Sequence, residues 1–170
     1  MRTSEVINKK VHKAKPLIIL TVIFLAILVL ADVYLLVQII KNRIPHILGI
    51  SLLAIITATV IGSYLYAPMS ITLSESALIL NRGIGKKKFN YSDIAAVDTY
   101  ISDSPVVRVC GIGGVFGFIG RYYTKKIGHY FSYVGDYSQT FYLRLKNGKK
   151  YLLSCENRDL IVFLVKKKIA

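Results

Sequence analysis

The side chains with the clearest chemical meaning in this sequence are lysines and arginines that occur in short clusters. Lys and Arg number 23 against 9 Asp and Glu, which gives a formal net charge of +14. A cation near an anionic membrane surface contributes about 1 kcal/mol and acts within a Debye length of roughly 10 Å. The candidates for contact with anionic lipid or a protein partner are Lys86, Lys87, Lys88, Arg108, Arg121, Lys125 and Lys126. The alternative is a solvated basic surface that only keeps the protein soluble.

Residues suited to catalysis, metal binding or nucleotide binding do not occur at useful spacings. His12, His46 and His129 lie in three different segments, so a shared metal site or a nucleophile–histidine pair would need coincidence. The glycines that begin at Gly111 miss the G-x-G-x-x-G pattern, because the sixth position is Phe116. The sequence therefore predicts a protein that is not an enzyme, without catalytic residues, cofactor or metal ion.

Two long apolar stretches occupy the first third of the chain. Residues 17–40 contain one charged residue, Asp32, and residues 47–66 contain none. Each stretch reaches the roughly 20 residues that a helix needs to cross a hydrocarbon core about 30 Å thick. The first is longer than the apolar region of a signal peptide, which runs about 7–15 residues. We therefore expect a transmembrane helical hairpin over residues 17–67.

The distribution of basic residues predicts the orientation of this hairpin. Residues 1–16 hold five basic residues and the linker, residues 41–46, holds two, whereas the chain after Pro68 holds sixteen. Flanks and short loops rich in Lys and Arg stay on the cytoplasmic side. We expect residues 1–16 to be a basic cytoplasmic tail, residues 69–170 to be a cytoplasmic domain, and the linker to face outward.

Small residues and one acid stand out within the apolar stretches. Ala54, Ala58 and Gly62 recur every four residues, which predicts a close contact with the first helix unless the spacing arose by chance. Asp32 suggests proton transfer or a pore, because ionisable residues within membranes are usually functional. The structural alternatives are a position near the interface or hydrogen bonds to Ser51 or Thr57.

The remainder of the chain has the pattern of a β-domain. Short runs of aromatic and β-branched residues separated by turn signals predict about seven antiparallel strands, and the final apolar run predicts one helix. Residues 102–128 hold six glycines and indicate a long loop with some sheet in it. The apolar residues in this loop either lie against lipid or a partner, or pack inward as an ordinary connection: Val115, Phe116, Phe118 and Ile119.

Several local segments resemble the membrane-attached bacterial PH-like (pleckstrin-homology-like) proteins. They are ITLSESALILNRG, the later FNYSDIAAV, Arg108 before the glycine-spaced stretch, and SCENRDLIVFLV after the last hairpin. The resemblance covers residues 71–165 and implies a PH-like antiparallel barrel or sandwich capped by a C-terminal helix. It also implies a binding module in the bacterial inner membrane. Relatives that bind phosphoinositides usually have a basic first loop, whereas Ser74, Glu75 and Ser76 occupy it here.

These observations together predict a membrane-anchored binding or scaffold module. Its basic surface would face a protein partner, another copy of the chain or anionic lipid, through edge strands and the glycine stretch. Nucleic acid is not expected, because the domain is tethered to a membrane. The competing prediction is a small pore or transport-associated subunit, in which oligomerised hairpins place Asp32 along the pore.

Overall fold

The computed structural model describes residues 7–101 and 105–169, which form two long helices, two β-sheets and a C-terminal helix. The long helices are α1 (Lys15–Ile40) and α2 (His46–Leu65), and the last helix is α3 (Arg158–Ile169). In the described part of the chain ten strands occur, where the sequence predicted about seven.

The first sheet has four strands in the order β1-β2-β3-β4, each antiparallel to its neighbours. These strands are β1 (Ile7–Lys10), β2 (Pro68–Leu73), β3 (Ala77–Arg82) and β4 (Lys86–Asn90).

The second sheet has six strands in the order β5-β9-β10-β8-β7-β6, and β8 is parallel to β10. They are β5 (Ile94–Thr99), β6 (Val107–Gly113), β7 (Phe118–Thr124), β8 (Gly128–Val134), β9 (Thr140–Leu145) and β10 (Lys150–Ser154). The two sheets do not close into a barrel, so the sandwich form of the prediction applies.

One apolar core lies between the sheets and under α3. Ile71 and Leu80 of the first sheet, Phe141 and Leu153 of the second, and Ile161 of α3 are all fully buried in it. Burying one such side chain contributes about 1.5–3 kcal/mol. The C-terminal helix therefore packs on the sandwich, as expected.

A second, tyrosine-rich cluster covers the other face of the six-stranded sheet. Its buried members include Tyr100, Tyr122, Tyr130 and Leu152. Alternate residues of a strand point to opposite faces, so this sheet buries both of its faces. Packing thus accounts for the buried half of the twelve tyrosines of the chain.

The two long helices leave most of their apolar side chains exposed. Only 11% of the most apolar stretch of α1 and 6% of that of α2 is buried. By length and composition both helices could cross a membrane, since 26 and 20 residues span about 39 and 30 Å. A core helix of a globular domain would instead be mostly covered.

Gly49 is a point of close approach between α1 and α2, whereas the predicted small residues are not. A Cβ added at Gly49 would lie 2.5 Å from the Ile39 side chain, whereas one added at Gly62 would meet no atom within 4 Å. Ala54 and Ala58 are exposed. Their spacing does place them on one face, but the linker turns a different face of α2 towards α1.

Part of the N-terminal segment predicted as a tail belongs to the first sheet. Residues 7–10 pair with β2, and the Val11 amide continues the contact by donating to the Met69 carbonyl at 2.8 Å. The Glu156 amide donates to the Lys10 carbonyl at 3.0 Å. Four residues with two lysines gave no clear strand signal, so the sequence did not predict β1.

Most of the segment predicted as a long loop is a β-hairpin. The segment contains β6 and β7, which are joined by a short tip at residues 114–117. Gly111 and Gly120 face each other across the pair, and a Cβ on either would come within 2.7 Å of the opposing backbone. Glycine is needed here for close backbone approach.

Candidate functional site

The strongest candidate site is the place where the helices meet the sheets. We call it the junction, and it consists of residues 13–21 around the start of α1, residues 62–66 at the end of α2, residues 82–85 and residues 114–118. The Ala14 amide donates to the Gly135 carbonyl at 3.1 Å, and the Ile84 amide donates to the Leu65 carbonyl at 2.8 Å. Both helices are therefore fixed to the sheets through backbone hydrogen bonds.

Phe116 places the hairpin tip against both helices. Its amide donates to Thr21 Oγ1 of α1 at 3.2 Å, and its ring meets the Tyr64 ring of α2 edge-on at a centroid distance of 5.4 Å. The φ angle of Phe116 is +58°, a left-handed conformation that costs a non-glycine residue roughly 1–2 kcal/mol. The helix contacts offset this cost.

The apolar residues of the glycine stretch divide between the two alternatives raised by the sequence. Ile119 is buried in the core and Phe118 packs against Tyr137 at 4.8 Å, as in an ordinary connection. Val115 and Phe116 instead line a groove beside the helices. The partner of this tip is thus the helical hairpin of the same chain.

The groove lies between α1, α2 and the tip and has a volume of about 340 Å³. Phe24 and Leu28 of α1, Ile55 and Val60 of α2, and Val115 of the tip contribute to its walls. Its size is at the small end of ligand pockets, which span about 300–1,000 Å³.

Two half-buried cations lie at the junction, and the sequence analysis did not select either. Lys13 Nζ lies 5.8 Å from the centroid of the Phe116 ring, and Arg82 Cζ lies 5.3 Å from that of Tyr66. Burial lowers the pKa of Lys13 from its usual 10.5. Among the described residues neither cation pairs with a carboxylate. Lys13 was hidden in the basic N-terminal segment, and Arg82 stands apart from the lysine clusters.

The run Lys86, Lys87 and Lys88 is divided by the alternation of β4. Lys86 and Lys88 are exposed, whereas Lys87 points inward and lies 4.4 Å from the centroid of Tyr151 and 5.3 Å from that of Phe131. Burial and the charges of nearby Arg82 and Lys149 lower the pKa of Lys87. Lys87 therefore contacts the second sheet from the first. Lys86 and Lys88 are the members of the run that are accessible to a ligand.

The remaining predicted contacts are spread along the β6–β7 hairpin. Arg108 and Arg121 are exposed on these strands. Lys125 and Lys126 follow the end of β7, and at about 3.3 Å per residue Lys125 is roughly 23 Å from Phe118 at the junction. Of the seven predicted residues, Lys87 is thus the one that is turned inward, and the other six are exposed.

Asp32 lies on the face of α1 that contains Leu28 and Leu35, and its Oδ1 atom is buried without a hydrogen-bond partner in the described chain. Ser51 instead donates its hydroxyl to the Ile47 carbonyl at 2.7 Å. The alternative in which Ser51 or Thr57 donates a hydrogen bond to Asp32 Oδ1 is therefore not seen in the described part of the chain.

The two cysteines differ in accessibility. Cys110 is exposed on β6, and Cys155 is buried in the core. Burial raises the pKa of Cys155 to about 12. Within residues 7–101 and 105–169, no group of three or more His, Cys, Asp or Glu side chains could hold a metal ion.

Comparison with known families gives one finding for this chain. A family model described as "Bacterial PH domain" matches residues 69–169. The matched range includes both sheets from β2 onward and α3, but not β1 or the long helices. Comparisons with curated proteins and with solved structures gave no match.

Proposed function

Since this chain belongs to the bacterial PH domain family, we propose that it is a non-catalytic binding module held in a membrane by α1 and α2, and that its junction contacts anionic lipid headgroups. The observation that carries the proposal is the pair of half-buried cations at the junction. Lys13 and Arg82 contact aromatic rings and lack carboxylate partners within the described residues. A lipid phosphate would supply the missing negative charge.

The lengths of the helices support the membrane location. Each reaches or exceeds the thickness of a hydrocarbon core of about 30 Å. Because α1 begins and α2 ends at the junction, the N-terminal segment and the sheets lie on the same side. The basic residues on that side favour the cytoplasmic face, and we infer that the membrane is the inner membrane of a bacterium.

The exposed edge of the six-stranded sheet supports a second candidate, a protein partner. The edge strand β6 leaves Val107 and Val109 each 54% exposed. An edge strand presents unpaired backbone groups to which another strand can add. A scaffold role through β6 is compatible with lipid contact at the junction.

The proposal can be tested on the full chain reconstituted into nanodiscs of phosphatidylglycerol or phosphatidylcholine. We expect amide hydrogen exchange of residues 11–16 and 82–86 to be slower in phosphatidylglycerol, and this difference to shrink at high salt. Lys13→Gln with Arg82→Gln should remove the difference, whereas Lys88→Gln, on the exposed face of β4, should retain most of it. Equal exchange in both lipids would contradict the proposal.

The membrane location has its own test. The full chain should stay in the pellet when membranes are washed with alkaline carbonate. Recovery in the supernatant without detergent would contradict the transmembrane role of α1 and α2.

A further inference from the structure

We propose that the groove between α1, α2 and the hairpin tip binds one acyl chain of an anionic phospholipid, with the lipid phosphate beside Lys13. The inference rests on the proposed function. It adds a binding site for the acyl chain, which contact with the headgroup alone does not require.

Measured from the junction ends of the helices, the groove reaches about the depth of one membrane leaflet. Its junction end is formed by Ser63 and Phe116. Its far end is formed by Leu28, about 20 Å from the start of α1, and by Ile55, about 15 Å from the end of α2. Half of a hydrocarbon core is about 15 Å. An acyl chain that enters the groove at the junction would therefore extend towards the middle of the bilayer, as other lipid tails do.

The hydroxyl hydrogens in the walls of the groove are already used in hydrogen bonds within α2. The Thr59 hydroxyl donates to the Ile55 carbonyl at 2.8 Å, and the Ser63 hydroxyl donates to the Thr59 carbonyl at 2.7 Å. A polar ligand would lose its hydrogen bonds with water and gain few in return, which is unfavourable. A hydrocarbon chain incurs no such loss.

The hairpin tip prevents the helices from closing over the groove. At the linker end Gly49 contacts Ile39 directly, whereas at the junction end Phe116 contacts both Thr21 and Tyr64. The strained backbone of Phe116 shows that the tip is held in this position by its contacts. The groove is therefore kept open by the contacts of the hairpin tip with α1 and α2.

Charge complementarity selects an anionic lipid. Lys13 Nζ lies over Phe116, and the same ring lines the groove. Lys13 forms no ion pair within the described residues, and burial lowers its pKa. A phosphate at this position would relieve the cost of the half-buried charge, whereas a zwitterionic headgroup would do so less.

Native mass spectrometry of the full chain in mild detergent tests this inference. Phosphatidylglycerol and phosphatidylcholine with identical acyl chains are added separately. We expect the wild type to retain one phosphatidylglycerol and to bind it about tenfold more tightly than phosphatidylcholine. Lys13→Gln should remove this preference while leaving the binding of phosphatidylcholine unchanged. Equal binding of the two lipids by the wild type would overturn the assignment of Lys13.

Two matched substitutions on neighbouring residues of α2 test the groove itself. Val60→Phe fills the groove and should weaken phosphatidylglycerol binding about tenfold. Ile61→Phe, at a residue that is 53% exposed, should not change it. Protection of the Cys155 thiol reports that each variant is folded. Undiminished binding by folded Val60→Phe would overturn the proposal.

A photoreactive phosphatidylglycerol with a diazirine in its acyl chain provides a second measurement on the wild type. Adducts are expected on residues 55–63 and 112–116, and adducts confined to other helix surfaces would overturn the inference. The proposed headgroup contact is tested independently of the groove. It predicts that amide hydrogen exchange at residues 82–86 still differs between phosphatidylglycerol and phosphatidylcholine in Val60→Phe.

Discussion

Tyr122 and Tyr130 stack at 6.2 Å in the tyrosine-rich cluster, but only one of their hydroxyls is hydrogen-bonded. Tyr122 donates to the Ile112 carbonyl at 2.7 Å, whereas the Tyr130 hydroxyl is buried without a partner in the described chain. Removing an unpaired buried hydroxyl relieves a desolvation cost, and removing a bonded one leaves its acceptor unsatisfied.

Phenylalanine substitutions at these two positions should therefore have opposite effects. Tyr130→Phe should raise the free energy of unfolding by about 1 kcal/mol, and Tyr122→Phe should lower it by about 1 kcal/mol. Chemical unfolding of the full chain in detergent micelles measures both. Two changes of the same sign would contradict the hydrogen-bond assignment.

The thiols of Cys110 and Cys155 should react very differently in the folded protein. Because Cys110 is exposed and Cys155 is buried with a pKa of about 12, a thiol reagent at neutral pH should modify one cysteine quickly. In Cys110→Ser the fast reaction should disappear and return only on unfolding. Fast modification of Cys110→Ser under native conditions would contradict the burial of Cys155.

The raised pKa of Cys155 also predicts a loss of stability at alkaline pH. The unfolded thiol ionises near its usual pKa of 9.0, whereas the folded one keeps its proton until about 12. The unfolded state therefore binds fewer protons in this range, and the free energy of unfolding falls as pH rises through it. Tyr91, with its pKa raised to about 12, acts in the same direction. Unfolding midpoints measured across this range should show the decline, and Cys155→Ala should reduce its slope.

The sequence predicted that basic residues form the site, but it did not predict which lysines and arginines are accessible and which are half-buried. Three consecutive lysines on β4 look equivalent in sequence, yet the alternation of the strand turns Lys87 into the aromatic interior. Lys13 acquires its position only because β1 and the Ala14–Gly135 hydrogen bond fix the segment before α1. Such positions depend on tertiary contacts, which local patterns do not contain.

The β6–β7 hairpin depends on glycine at its paired positions. A Cβ at Gly111 would lie 2.2 Å from the Ile119 carbonyl oxygen, and φ there is +133°. Gly148 also has a positive φ of 80°, but a Cβ there meets no atom within 4 Å. A side chain at Gly148 would therefore cause only backbone strain, whereas one at Gly111 would also collide with the backbone of β7.

Alanine substitutions at these two glycines should differ in severity. Gly148→Ala should cost about 1 kcal/mol from the left-handed conformation alone. Gly111→Ala should cost more than about 2 kcal/mol, because the strands must also separate. Unfolding of the full chain measures both, and equal costs would contradict the close approach seen between β6 and β7.

The elements differ in how well the sequence predicted them. The apolar stretches at residues 17–40 and 47–66 agree closely with α1 and α2, because continuous apolarity is a local signal. The turn that joins β9 to β10 contains Asn147 and Gly148, which together are a strong local hairpin signal. By contrast, β6 and β7 were obscured by their glycines. The parallel pairing of β8 with β10 is a non-local choice that no short pattern specifies.

The sheets and the N-terminal segment form one unit, although the family match begins at residue 69. Without β1, the edge of β2 would be left unpaired, and such edges promote aggregation. Deleting residues 1–10 should therefore lower the free energy of unfolding by about 2–3 kcal/mol, which corresponds to a few backbone hydrogen bonds.

Deleting only residues 1–6 is the matched control, because it keeps β1, and this shorter chain should be more stable than the chain that lacks residues 1–10. Thermal unfolding of the three chains in the same micelles, together with light scattering, measures the effect. Identical midpoints for the full chain and the longer deletion would show that β1 contributes little.

The pairing of β1 with β2 also constrains the order of events during synthesis. A ribosome makes β1 first, then both long helices, and only afterwards the strand that β1 joins. The leading segment must therefore wait, unpaired, until both long helices and β2 have been made. Closing so long a chain segment is slow. Pairing of β1 with β2 is therefore a late step in the assembly of the first sheet, and a bulky fusion placed directly before residue 7 would obstruct it.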